Sequence, residues 1–161
     1  MKKQSFVLML AIVLTLALSA CSSNEAAPIE STVPVKEMVD KMITEVEQPG
    51  LIELDEDSVK QQYHLDPSLL EEYTVRIPMM NVKSNEVSVF KVKEEKDIPT
   101  IETAIKQRAE DVQKQFETYL PDQYENAKNY KLVTKGNYLL FFISEDADEL
   151  VKSFDSFFVQ K

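Results

Sequence analysis

Apolar and polar positions are distributed very differently along the three stretches of this chain. Phe6 to Ala20 is a continuous 15-residue apolar stretch behind Lys2 and Lys3. Ser22 to about Val33 is small and polar, with one proline and no apolar period. From Val35 onward the apolar residues recur at helical or strand spacing. Val35, Met38, Val39, Met42, Ile43 and Val46 mark one face of an amphipathic helix that Pro49-Gly50 ends. Glu37 and Lys41 sit on its outer face in the favourable order. Asp57 to Leu65 predicts a second, short helix, and Asp66-Pro67 a cap and first turn leading to Leu70. Tyr73 to Met80 puts Val75, Ile77 and Met79 on one face, and Pro78 inside it predicts an edge strand. Val82 to Asn85 connects it to Glu86–Lys93, and the pair reads as a β-hairpin.

Asp97 is the expected cap of the longest helix, whose buried stripe is Ile98, Ile101, Ile105, Ala109, Val112 and Phe116. Pro121 marks its end. A second hairpin is expected from Tyr130–Lys135 and Tyr138–Ser144, with Gly136 taking a positive φ in the turn. The run from Tyr138 to Ile143 does not alternate, so it should be a central strand covered on both faces. Asp146 with Glu149 resembles a capping box before a last helix carrying Leu150, Val151, Phe154 and Phe157. The order α-β-β-α-β-β-α predicts one α+β domain over residues 35–161. Its sheet is expected to be mostly antiparallel, roughly four-stranded (two hairpins), and packed against helices.

The N-terminal apolar stretch falls short of the ~20 residues that a spanning helix needs. It runs into Leu18-Ser19-Ala20-Cys21, with small residues ahead of a cysteine. This is the layout of a bacterial lipoprotein signal. Residues 1–20 are therefore expected to be removed, and Cys21 to carry a diacylglyceryl group. Each buried methylene contributes ~0.8 kcal/mol, and two chains hold where one is marginal. Residues 21–34 then form the lipidated cysteine and a flexible tether. About twelve coil residues span roughly 20 Å on average and roughly 40 Å at full stretch. The domain is thus expected on the extracytoplasmic face of the cell membrane, acting close to it.

Charge narrows the partners further. The 18 basic residues less the two leader lysines, against 28 acidic residues, leave the chain from Cys21 onward at −12. Such acidity argues against nucleic acid, which needs a basic stripe, and against a second, polybasic attachment to anionic lipid. With Cys21 as the sole cysteine, no disulfide can form within a monomer.

Chemistry-bearing residues are sparse apart from acids. His64 is the only histidine, and no spacing around it fits a zinc site. No G-x-S-x-G elbow is present, and two glycines cannot build a phosphate-cradling loop. No catalytic, cofactor-binding or metal-binding residues are assigned. The clusters Glu53-Asp55-Glu56-Asp57 and Glu145-Asp146-Asp148-Glu149 precede predicted helices, where acids cap free N–H groups. Arg108 and Arg76 are the only arginines. Arg108 lies at the flank of the long helix's apolar stripe, where it either snorkels to a surface carboxylate or offers a bidentate fork to a partner. Tyr119, Tyr124 and Tyr138 complete the candidate partner-binding set, because tyrosine is at home both at interfaces and at the rim of a core.

Three segments carry a resemblance: Ile105-Lys106-Gln107-Arg108, Phe116-Glu117-Thr118-Tyr119-Leu120-Pro121, and Lys135-Gly136-Asn137-Tyr138-Leu139-Leu140-Phe141. Together they are similar to a family of small bacterial lipoproteins, domain-of-unknown-function family 4358. The resemblance implies a bacterial, Gram-positive surface lipoprotein and brings no activity and no functional residues. The leading expectation is a non-catalytic binding module for an envelope protein or cell-wall component, with a tyrosine-rich, partly apolar patch near Arg108. The rival is an envelope hydrolase working through two paired carboxylates. A solute-binding lipoprotein ranks last, because one domain lacks the two lobes that close on a solute.

Overall fold

A computed structural model describes residues 29–158; the expected leader (1–20) and the lipidation site Cys21 lie outside the described residues. The chain runs through α1 (Val35–Glu45), β1 (Leu51–Glu53), α2 (Glu56–Tyr63), β2 (Leu70–Pro78) and β3 (Glu86–Val92). It continues through α3 (Ile98–Phe116), α4 (Pro121–Lys128), β4 (Lys131–Lys135), β5 (Tyr138–Ile143) and α5 (Ala147–Ser156). The fold is α+β, with a five-stranded sheet in the order β1-β2-β3-β5-β4 and every pair antiparallel. Helices α1 and α5 cover one face, packing on Val87, Val89, Leu140 and Phe142. Helices α2, α3 and α4 cover the other, over Val75, Phe90, Leu139, Phe141 and Ile143.

This double cover explains the strand sequences. Successive side chains leave a strand on opposite faces, so a strand buried on both has no place for an exposed polar alternate. Strand β5 is buried at every position, as its non-alternating run predicts, and it lies between β3 and β4. The β4–β5 turn is the two residues Gly136-Asn137, and Gly136 has the positive φ expected of it, +57°. Helix α2 starts at Asp55, whose carboxylate accepts from the Ser58 N–H at 2.8 Å. It ends at His64, a left-handed residue at φ +52°.

The expected four strands are corrected to five. The missed strand, β1, is three residues long, too short to display a period of two. Its pairing also moves β2 off the edge. Pro78 is tolerated there because it is the last residue of β2, opposite Leu51, and Met79 resumes pairing by donating to the Gly50 carbonyl. Pro121 opens α4 instead of merely ending the helix before it: proline supplies a ready φ at the first helical position, and only Gln123 and Ala127 of α4 are buried. The element order is therefore longer than α-β-β-α-β-β-α. Asp97 and Asp146 precede α3 and α5 as expected, but neither side chain makes a capping hydrogen bond.

Of the segment read as a tether, residues 29–34 are described, and they lie along one end of the sheet. Glu30 meets Lys91 and the Tyr138 hydroxyl, and Ile29 passes over Gly136. A Cβ on Gly136 would come within 2.8 Å of the Ile29 carbonyl oxygen. Gly136→Ala therefore combines a left-handed alanine with a clash, and should cost about 1–2 kcal/mol in urea unfolding. A cost below about 0.3 kcal/mol would mean that the turn adopts another conformation.

Candidate functional site

Strand β3 opens with an acid on the α2–α3 face. Glu86 is only 1 % exposed, and a carboxylate taken out of water needs a counter-charge and hydrogen bonds. Both arrive from the covering helices. Arg108, one turn along α3 from the buried Ile105 and Val112, brings Nε and Nη2 to 3.0 and 2.8 Å from Oε2 of Glu86. Tyr63, the last residue of α2, donates its hydroxyl to Oε1. The Ser88 hydroxyl is 3.0 Å from the phenol oxygen. Because the tyrosine proton is committed to Glu86, Ser88 is the donor in that contact. The guanidinium also stands over the Tyr63 ring, 5.8 Å from its centre.

The protonation of this cluster follows from its surroundings. Burial first, and then the negative charge of Glu86, push the Tyr63 phenol well above its ordinary range. Burial is the largest influence on Arg108 and opposes its charge, but Glu86 and Tyr63 outweigh it and hold the guanidinium above its usual value. Tyr63 is thus held as a neutral phenol and Arg108 as a charged guanidinium.

Outside the cluster is a cleft of about 290 Å³, bounded by the β2–β3 connection, β1 and α3. Glu86 and Arg108 lie at its base, and Ile52, Met79, Met80 and Phe116 contribute apolar wall. Of the six large apolar side chains that are exposed among the described residues, Ile52, Met79 and Met80 line the cleft, and Val82 and Tyr119 lie on or beside the β2–β3 connection. Tyr119 stacks on Phe116 and donates its hydroxyl to the Asn81 carbonyl. The connection is pinned from below, where Gln123 accepts from the Ser84 N–H at 2.9 Å and Asn126 donates to the Ser84 hydroxyl. Among the described residues, Nη1 of Arg108 has no hydrogen-bond partner.

Residues 44–144, more than half of the chain, match the family described as Domain of unknown function (DUF4358). The chain belongs to that family. No curated protein and no solved structure matches it. The span of the DUF4358 domain contains all of Tyr63, Glu86, Ser88 and Arg108 and every wall of the cleft, whereas most of α1 and all of α5 lie beyond it.

The candidate residues of this DUF4358 chain separate in space. Arg108 reaches a carboxylate, but a buried one on the sheet. Tyr119 is half exposed and belongs to the cleft's apolar surround. Tyr124 is partly buried against the core, with Lys128 over its ring. Tyr138 is only 1 % exposed and faces α1 and α5, on the other side of the sheet from Arg108. The apolar patch near Arg108 is therefore built mainly of methionine and aliphatic side chains, with one tyrosine. His64 is exposed and lies 3.7 Å from Asp111.

Of the acid clusters, Asp55 caps α2, and Glu53 pairs with Lys36 and Arg76. Glu145, Asp146, Asp148 and Glu149 line an open groove with Asp122 and Glu125. The Asp122 carboxyl is held below its usual range, chiefly by the side-chain amide of Gln123. No group of three metal-ligating side chains occurs among the described residues. Sequence reasoning missed Glu86, Tyr63, Met79, Met80 and Lys83. One signal was available for the first, since Glu86 is an acid opening a strand whose next residues are Val, Ser, Val and Phe.

Removing one member of the buried pair strands the other. Arg108→Met should cost about 3–5 kcal/mol in urea unfolding. Adding Glu86→Leu should recover at least half of that loss, and a purely additive double variant would show that the two groups are not coupled. The phenol proton of Tyr63 is held more tightly folded than unfolded. The folded state therefore binds more protons above the unfolded tyrosine range, and stability falls as pH rises past about 10. Phenolate absorbance from Tyr63 should emerge only as the chain unfolds, and Tyr63→Phe should flatten the decline.

Proposed function

We propose that this protein is a lipid-anchored surface lipoprotein whose domain is a non-catalytic binding module for an envelope partner close to the membrane. The observation that carries the binding role is the collection of exposed apolar side chains around one cleft. Scattered surface hydrophobes need no explanation, but a contiguous group rimmed by polar residues marks an interaction surface. Here Ile52, Met79 and Met80 line the cleft, Val82 lies on the β2–β3 connection and Tyr119 donates to Asn81 within it. The Gln123–Ser84–Asn126 hydrogen bonds hold that connection in place.

Anchoring rests on the sequence alone. Leu18-Ser19-Ala20-Cys21 behind a 15-residue apolar stretch supplies the acylation signal. No helix of the described residues is long and apolar enough to cross a membrane. The acidity of the chain supports a domain held off an anionic lipid surface by like charge.

Full-length protein should fractionate with membranes, and Cys21→Ala should release it to the soluble fraction. Retention of Cys21→Ala on the membrane would overturn the anchor. A photo-crosslinking side chain at Met80 should capture one dominant partner in intact cells, whereas the same group at Lys152, on the exposed side of α5, should not. Equal labelling from both positions would remove the cleft as the contact. Turnover of cell-wall fragments that is lost when Glu145 and Glu149 become glutamine would favour the hydrolase instead.

A further inference from the structure

The geometry points to a specific ligand chemistry for this cleft: a peptide segment of the partner that carries a carboxylate beside a bulky apolar side chain. The inference rests on the binding role proposed above and goes further, because it names what is read and by which atoms. Its basis is the contrast between the cleft and the rest of the surface. In a chain with 28 acids and 18 bases, the only acid among the cleft residues is Glu86, and its charge is already taken by Arg108. Lys83 lines the same cleft, is exposed, and forms no ion pair among the described residues. Lys83 contributes to holding the Asp122 carboxyl down, behind the amide and backbone of Gln123.

Arg108 is set up for this task. Its Nε and Nη2 are committed to Glu86, which fixes the guanidinium in one orientation. The two N–H groups of Nη1 make no hydrogen bond among the described residues, and an arginine already held in place loses little freedom when it donates to a carboxylate. Glu86, Tyr63 and Ser88 are positioning residues in this reading. The neighbouring Met79 and Met80 are flexible apolar side chains suited to a bulky group of variable shape. A space of about 290 Å³ admits one or two side chains and not a diacyl lipid.

Topology supports a protein ligand over the bilayer. Register pairs Glu86 with Ile143 at one end of the sheet and Lys91 with Tyr138 at the other. The cleft is at the Glu86 end, and the chain enters past Gly136 at the Tyr138 end. Eight residues separate Ile29 from the start of Cys21, a leash of at most about 28 Å. The described chain thus enters the domain at the end opposite the cleft. A second copy of this acidic chain would bring like charges together, cleft cations included.

The test uses the full-length lipidated protein in detergent, selecting against a random hexapeptide library. Enriched peptides should carry Asp or Glu next to Leu, Ile, Met or Phe. A synthesised winner should lose at least tenfold in affinity against Lys83→Glu, at unchanged melting temperature, and again on replacing its acid by the amide. Enrichment of neutral apolar peptides, indifferent to Lys83→Glu, would overturn the inference while leaving the binding role standing. No enrichment would overturn it as well, and a silent Met80 crosslinker in cells would then remove the binding role too. Phosphatidylglycerol vesicles bound through Met80, or a dimer abolished by Met80→Asp, would each overturn it in favour of that other occupant.

Discussion

Strands β3 and β5 are covered by helices on both faces, and most of the structure follows from that constraint. A residue in such a strand cannot turn its side chain to solvent by choosing a face, so every position must be apolar or fully satisfied. Strand β5 takes the first solution throughout. Strand β3 takes both, with Val87 and Val89 toward α1 and α5 and with Glu86 and Ser88 toward α2 and α3. Glu86 then dictates what the helices above it must deliver. Arg108 has to come from α3 and Tyr63 from α2, which ties the angle and register of two helices to one strand position. Paired charges of this kind add little net stability over an apolar substitute, but losing one member is severe.

The same pair joins the core to the surface. Arg108 holds Glu86 with two nitrogens and also lines the cleft, so buried and exposed chemistry share one side chain. The surrounding apolar side chains sit on a connection that cannot drift freely, because Ser84 is held from α4 and Asn81 from Tyr119. A fixed cation beside flexible methionines combines a rigid polar contact with an adaptable apolar one. That combination suits recognition of a short motif better than of a single rigid ligand.

How much of this was legible in the sequence varied with the distance over which each feature is decided. Arg108 stood out because its place at the flank of the α3 stripe is a local property of helix period. Its partner did not, since Glu86 is 22 residues away and meets it only when α3 crosses β3. Tyr138 was ambiguous for a similar reason: a tyrosine in an all-apolar strand can face either layer, and only the register of β5 against β3 and β4 puts it under α1 and α5. Strand β1 and helix α4 escaped notice because three residues cannot show a period and eight mostly polar residues show a weak one.

The sequence by itself determined the α+β class, the non-alternating central strand, the left-handed glycine at position 136 and the candidate acylation signal at Cys21. Each depends on neighbours within a few positions, where backbone geometry and side-chain period are set directly. Tertiary structure alone decided the fifth strand, the burial of Glu86 under Arg108 and Tyr63, and the gathering of Ile52, Met80 and Tyr119 around one cleft. Those features join residues far apart in the chain through packing across a sheet, and no local pattern encodes which helix comes to rest on which strand.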